Sequence, residues 1–281
     1  FLISLFLVPF IGVEVKGSKR WIDIFFLPRF QPIEVLKPFL IIILATILCD
    51  IKSNILFKYL ISIFLISFIS LLLIAQPDIG QTLLVIFCWA VLIFTSGINI
   101  YILLAIFIAG VSLLTYLIIY VPRFDYIQGR IFSFFNRETG THNFQSDKAI
   151  ESITSGGFFG KGIGEGVLKN RVPEAHTDYI ISVISEEFGV VAIMLILLLF
   201  LILIYMVFKK ISFETNDKVK LILIGSISLI LMQATIHVGV NIRLFPTTGM
   251  TLPFLSYGGS SIISTSILGG IILNLTKRKI T

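Results

Sequence analysis

A helical bundle that crosses a membrane several times is the fold this sequence predicts, and three observations predict it: its hydropathy, the length of its apolar runs and the placement of its basic residues. Mean hydropathy is +1.00, with 56% hydrophobic and 14% charged residues, where an ordinary soluble domain carries about 25% charged residues. Too little polar surface is present to cover such a chain in water.

The apolar residues fall in blocks that approach the roughly 20 helical residues needed to cross a hydrocarbon core. One incomplete run ends near Ile11, and further spans are expected near 33–49, 59–75, 79–97, 101–121, 179–208, 219–240 and 255–275, about eight in all. Phe1 in place of Met, ahead of a run only half a span long, predicts that the chain begins inside a helix. The spans form one domain, 1–281. Between them the segment 122–177 is long, polar and rich in Gly. Backbone of that kind finds no partners in lipid, so it is expected as an aqueous loop with room for short surface helices.

Orientation follows from Lys and Arg in the short loops. With the tail Lys277, Arg278 and Lys279 cytoplasmic, strict alternation puts Lys52, Lys58, Lys209, Lys210, Lys218 and Lys220 on that same side. The 122–177 loop then lies outside. One outer loop runs against the rule, because Gly12–Gln31 carries Lys16, Lys19, Arg20 and Arg29 against Glu14 and Asp23. Two readings stand: an ordinary loop outvoted by its neighbours, or a site for an anionic ligand, which Arg and Lys suit.

The net charge of +6 resides in loops rather than on one soluble face, which favours anionic lipid over nucleic acid. Cys49 and Cys88 both lie in apolar segments without metal-type spacing, so neither a disulfide framework nor a zinc site is expected.

Charge inside spans marks function more often than elsewhere. Glu34 and Lys37, three residues apart, share a helix face; they form a local ion pair with Lys37 snorkelling, or Lys37 lines an outer-facing cavity and holds phosphate. Glu174, His176 and Asp178 cluster where the long loop enters the next span. There Thr177 is expected as N-cap, and Asp178 as a first-turn acid or a general base. Of Glu186 and Glu187, Glu186 is the better match to the face of Asp178. The run GGFFGKGIGEG, 156–166, follows no strand and has no Ser or Thr after Lys161, so it fails as a phosphate loop and is expected as flexible turn backbone. The segment FPTTGMTLPFLSYGGSS, 245–261, mixes Pro, Gly and hydroxyls at membrane depth, where protein or a watery cavity must cover it.

Taken in order, GVEVKGSKRWI, FQPIEVLKP, AQPDIGQT, SGGFFGKGIG, VPEAHTDYIISVISEEFG and GMTLPFLSYGGSS resemble the motifs of the SEDS family (FtsW, RodA, SpoVE), its division branch more than its elongation branch. They cover nearly the whole chain. Ile33 and Ser18 depart from the usual Ser and Ala, away from the charged positions. The resemblance implies ten spans in the complete family fold, two and a half of them absent from the N-terminus here. It also implies a peptidoglycan glycosyltransferase of the plasma membrane that polymerises lipid II at the septum. Asp178 is then the catalytic acid, and Glu34 and Lys37 the pair near the outer face. Lys19, Arg20, Gln31, Glu174, His176 and Ser256 join that pair as substrate-binding candidates. Implied partners are lipid II, a class B penicillin-binding transpeptidase and other divisome proteins. No organic cofactor is implied, while a divalent cation, Mg or Mn, is compatible with a diphosphate leaving group. A lipid II flippase, a non-catalytic scaffold and an elongation role are the competing readings.

The orientation is testable. A cysteine at Thr139 should react with an impermeant thiol reagent outside intact spheroplasts and one at Glu214 should not; reversed labelling would overturn it.

Overall fold

The computed structural model describes residues 1–15, 18–24, 27–50, 54–136 and 141–277. Lys16, Lys52, Thr139, Arg278 and Lys279, used above, lie outside the described residues. The chain is a mostly helical polytopic membrane bundle. In order it forms α1 (Leu2–Ile11), β1 (Val13–Val15), β2 (Ser18–Ile24), β3 (Leu27–Phe30), α2 (Pro32–Leu48), α3 (Ile55–Ala75), α4 (Ile79–Thr95) and α5 (Ile100–Tyr120). After these come α6 (Asp125–Asn136), α7 (Thr141–Gly156), α8 (Ile180–Phe213), α9 (Asp217–Asn241) and α10 (Gly259–Thr276).

Among the described residues, five helices are long and apolar enough to cross a membrane: Leu56–Ala75 within α3, then α5, α8, α9 and α10. Their burial differs sharply, from 0% for α5 to 67% for α9. A helix as apolar as α5, with no fully buried residue, is stable only against lipid, whereas α9 is packed by protein. The helices α1 and α4 are apolar but shorter.

Two compact units divide the chain. The first comprises Phe1–Phe107, Tyr205–Ile230 and Gly258–Thr281, and the second Ile108–Ile204 and Leu231–Tyr257. In the first, Leu36, Leu40, Leu44 and Leu48 recur every four residues and form one stripe of α2. They join Ile66, Ile69 and Leu73 of α3, Val85, Trp89 and Leu92 of α4, and Leu221 of α9 in one core. Gly225 lets α9 approach α2 and α4, since a Cβ there would meet Ile41 Cγ2 at 2.7 Å.

The Gly12–Gln31 segment, expected as a loop, is largely an antiparallel β1-β2-β3 meander. Val13 faces Trp21, Glu14 faces Lys19, and Ile22 faces Phe30. Its strands are short and both ladders carry an irregularity, which leaves little alternation to read in the sequence.

In the second unit the 122–177 segment carries α6 and α7 as surface helices. Its glycine run is not a free turn, because it docks on a break in α8. Gly189 adopts φ 78°, ψ −177° and interrupts that helix, which strands backbone groups on both sides. The glycine run supplies their partners: Lys161 and Gly162 N–H donate to the carbonyls of Glu186 and Glu187 at 2.9 and 3.0 Å. In return Val190 and Val191 N–H donate to Gly157 and Phe158 carbonyls at 3.0 and 3.3 Å. Contact is backbone to backbone, since a Cβ on Gly156 would lie 1.9 Å from Ser185 O and one on Gly189 2.2 Å from Phe158 O.

This docking predicts an asymmetry between two glycines of positive φ. Gly189→Ala should lower detergent thermal stability by about 1–3 kcal/mol from backbone strain, plus the clash. Gly164→Ala, at φ +84° with open space around it, should show only the strain. Equal losses in thermal unfolding would contradict the docked arrangement.

Candidate functional site

The second unit holds Asp178 in a clamp of three consecutive carbonyls. Tyr257 N–H donates to His176 O at 3.0 Å, Ser256 Oγ to Thr177 O at 2.7 Å, and Asn241 Nδ2 to Asp178 O at 3.1 Å. Ser256 Oγ also accepts from Leu252 N–H at 2.7 Å, so one buried hydroxyl ties two irregular segments together. From α9, His237 Nδ1 donates to Met250 O at 2.8 Å and Gln233 Nε2 to Thr251 O at 3.0 Å. Gly249, at φ +72°, comes so near that a Cβ on it would lie 3.5 Å from Asp178 Oδ2.

Two non-glycine residues with left-handed backbone flank this clamp, Glu174 (φ 57°) and Phe254 (φ 67°). Such residues persist only where their surroundings over-determine them. At Glu174 the turn lets one carbonyl accept from the N–H groups of Thr177, Asp178 and Tyr179 at 3.1, 3.1 and 3.4 Å. Beside the clamp lies a cavity of about 780 Å³ lined by Val172, Glu174, Ala175, His176, Thr177, Val183, Glu187 and Tyr257. A volume of this size suits a small-molecule headgroup.

The first unit holds the other candidate residues in a separate polar network. Lys37, 1% exposed, lies 2.9 Å from Glu34 Oε2 and donates to Gln81 Oε1 at 3.2 Å; Gln81 Nε2 in turn donates to Glu34 Oε1. Asp78 caps α4 by accepting from Gln81 N–H at 3.3 Å, accepts from Gln31 Nε2 at 3.0 Å and lies 3.7 Å from Arg20 Nη1. Burial pushes the Asp78 carboxyl above the usual carboxylate range, with the Arg20 guanidinium pulling the other way. Arg20 also donates to the carbonyls of Gln76 and Pro77, and Gln31 N–H donates to Ser260 Oγ at 2.9 Å. Losing one member of a buried ion pair such as Glu34–Lys37 leaves an uncompensated charge, at a cost of about 3–5 kcal/mol.

The FtsW/RodA/SpoVE family model, described as a cell cycle protein, matches residues 1–280. The chain belongs to this family. It is 34% identical to a probable peptidoglycan glycosyltransferase FtsW of Caulobacter vibrioides, over 97% of this chain and 69% of that protein. With a protein of the same description from Enterococcus hirae it shares 31% identity, over 99% and 73%. Among solved structures it superposes on a chain of a peptidoglycan synthase complex that coordinates polymerization and crosslinking. The TM-score there is 0.78 at 26% identity, covering all of this chain and 80% of that one. It also superposes on Thermus thermophilus RodA, with TM-score 0.69 at 28% identity over all of this chain and 76% of that one.

As an FtsW/RodA/SpoVE member, the chain distributes its predicted residues between two places. Asp178, Glu174, His176 and Ser256 come together in the second unit, and Arg20, Gln31, Glu34 and Lys37 in the first; Lys19 lies exposed on β2. Lys37 does not snorkel, because its ammonium is buried against Glu34 and Gln81 inside the protein. Thr177 is not the N-cap, since α8 starts at Ile180 and Thr177 Oγ1 instead donates to Glu174 O and Oε2, each at 3.2 Å. Asp178 therefore precedes the helix and lies outside the periodicity of α8. Glu187 lines the cavity, whereas Glu186 turns into protein, accepting from Ser152 Oγ at 3.1 Å and Leu168 N–H at 2.9 Å. Sequence reasoning missed Asp78, Gln81, Gln233, His237 and Asn241. The last three are polar, four residues apart and inside an apolar helix, a pattern that marks function in membranes.

Ser256 provides a test of the clamp. Ser256→Ala strands the Leu252 N–H and Thr177 carbonyl, so it should cost about 1–3 kcal/mol and raise amide exchange at Leu252 above the global change. Unchanged exchange at Leu252 would mean that the hydroxyl holds nothing.

Proposed function

We propose that the chain is a peptidoglycan glycosyltransferase that polymerises lipid II into β-1,4 glycan strands at the outer face of the plasma membrane. The observation that carries this reading is the clamped Asp178 beside a headgroup-sized cavity, in a chain whose relatives are described as peptidoglycan glycosyltransferases. In this reading α1, α2 and α4 cross the membrane with the five longer helices, as eight spans of a single SEDS domain. The FtsW-type relatives favour division at the septum over elongation, with a class B penicillin-binding transpeptidase and other divisome proteins as partners.

Transfer inverts the anomeric centre: the acceptor's sugar hydroxyl attacks the anomeric carbon of the donor, and undecaprenyl diphosphate leaves. Asp178 takes the hydroxyl proton as general base, a role worth about 10²- to 10⁴-fold. Glu174, His176 and Ser256 shape the surroundings of that base, Glu174 and His176 from the cavity wall and Ser256 through the backbone. Lys19, Arg20 and Lys37 are the candidates the family resemblance assigns to the leaving diphosphate, with Gln31 and Glu34 beside them in the first unit. Arg20 and Lys37 are balanced by Asp78 and Glu34, so that network offers directed donors more than net charge, and exposed Lys19 brings the positive charge. Among the described residues no three His, Cys, Asp or Glu side chains converge as a metal cluster. A Mg or Mn ion, compatible with a diphosphate leaving group, enters this scheme as a companion of that group.

Asp178→Asn decides between this reading and its rivals. The amide keeps the size of the side chain but takes no proton, so gel-resolved glycan from purified, transpeptidase-bound protein should fall at least about a hundredfold while lipid II still binds. Near-normal glycan from a variant that runs as folded protein on gel filtration would remove Asp178 from the chemistry. Absence of glycan from the unsubstituted protein, with lipid II moved across vesicles, would favour the flippase; neither activity would leave the scaffold.

A further inference from the structure

The glycine run 156–167 presents its bulky apolar side chains outward. Phe158, Phe159, Ile163 and Val167 are 74%, 85%, 77% and 60% exposed, although the backbone beneath them is docked tightly on α8. Exposed aromatics on a rigid loop of an aqueous segment are costly unless another apolar phase covers them.

The docking also sets the height of this loop. Residues 188–208 of α8 contain no charged residue, while Glu186 and Glu187 precede them and Lys209 follows. At about 1.5 Å per residue that run matches a hydrocarbon core of about 30 Å, so the boundary on the Glu187 side falls near residues 188–190. Hydrogen bonds from Val190 to Gly157 and from Val191 to Phe158 fix the two phenylalanines at that boundary. Just beyond it, Val191, Met194 and Leu195 are exposed on α8 where lipid covers them. Phe, Trp and Leu of interfacial segments bury at this depth, at the boundary of headgroups and acyl chains.

We propose that the 156–167 loop is a membrane-interface anchor, with Phe158 and Phe159 seated among the headgroups and upper acyl chains of the leaflet on the side of the 122–177 segment. The occupant is lipid. The loop follows the level at which α8 passes from charged to apolar, and its tip continues the lipid-facing surface of that helix. A consequence concerns the neighbouring cavity. Val183 and Glu187, which line it, stand only about 5–10 Å along α8 from Val190, so the anchored loop holds that cavity at headgroup depth. An amphiphile whose tail stays in the bilayer can then present its headgroup there without leaving the membrane.

The test uses the full chain in bilayers of phosphatidylethanolamine and phosphatidylglycerol, with Cys49→Ser and Cys88→Ala removing the native thiols. Nitroxide is placed by Phe159→Cys, with Leu199→Cys as a control in the hydrocarbon and Thr215→Cys as a control in water. Power-saturation EPR should show the Phe159→Cys label more accessible to oxygen than to a water-soluble nickel chelate, at a depth about 5–10 Å below the headgroup boundary. Nickel accessibility equal to that at Thr215→Cys would overturn the proposal. Should the thiol-free background fail to fold, 4-benzoylphenylalanine is placed at position 159 of the chain with its native cysteines and irradiated in the same bilayers. A lipid adduct found by mass spectrometry supports the anchor; no adduct there, with one formed by the same probe at position 199, refutes it.

Discussion

Every backbone N–H and C=O at membrane depth needs a partner inside the protein, and this constraint organises the second unit. Where α8 breaks at Gly189, the helix cannot satisfy its own carbonyls and amides. The glycine run satisfies them, and only glycine allows two backbones to meet this closely. The irregular 245–258 segment faces the same demand and meets it with side chains, because Ser256, Asn241, His237 and Gln233 each bind a main-chain group. Breaks in regular structure are thus where distant parts of the sequence are tied together, and the turn bearing Asp178 is one of the things they tie.

The first unit meets a related demand with charge. Lys37 and Glu34 lie where the desolvation of either alone would be prohibitive, so they neutralise each other and share Gln81 as a common hydrogen-bonding partner. Asp78 extends the same logic to Arg20 and Gln31, and Gln31 reaches Ser260 at the start of α10. Four segments far apart in sequence therefore converge on a few polar groups. A change of charge anywhere in this set alters the balance of the whole, and any anion that enters must compete with the carboxylates already present.

Much of the fold was legible because apolar run length is a strong signal. The expected spans near 33–49, 59–75, 79–97, 101–121, 179–208, 219–240 and 255–275 meet α2, α3, α4, α5, α8, α9 and α10 within a few residues at most ends. The meander at 13–30 was illegible because strands of three to seven residues with ladder irregularities give little alternation to read. The pairing of Glu34 with Lys37 was readable from a spacing of three, whereas Gln81 and Asp78 lie more than forty residues away and carry no local sign of it. At 156–166 composition showed that the chain must turn, but the partner that makes those turns rigid is a second break thirty residues later. At Glu186 and Glu187 periodicity had no fixed starting point, because it assumes a helix that already includes Asp178.

The position of Asp178 just ahead of α8 changes what its backbone can contribute. A first-turn acid is held by the amides of its own helix and shares in whatever that helix does. Here the Asp178 N–H donates to Glu174 O and its carbonyl accepts from Asn241, so the residue is gripped on both sides by groups outside α8. Its neighbours Thr177 and His176 are gripped in the same way by Ser256 and Tyr257. With the main chain fixed over three residues, the carboxylate has little freedom beyond its own two side-chain torsions. Reactions that depend on a proton acceptor within hydrogen-bond reach of a hydroxyl lose large factors for small displacements. The left-handed turns at Glu174 and Phe254 are then the local strain that this fixed geometry requires, one on each side of the segment they hold.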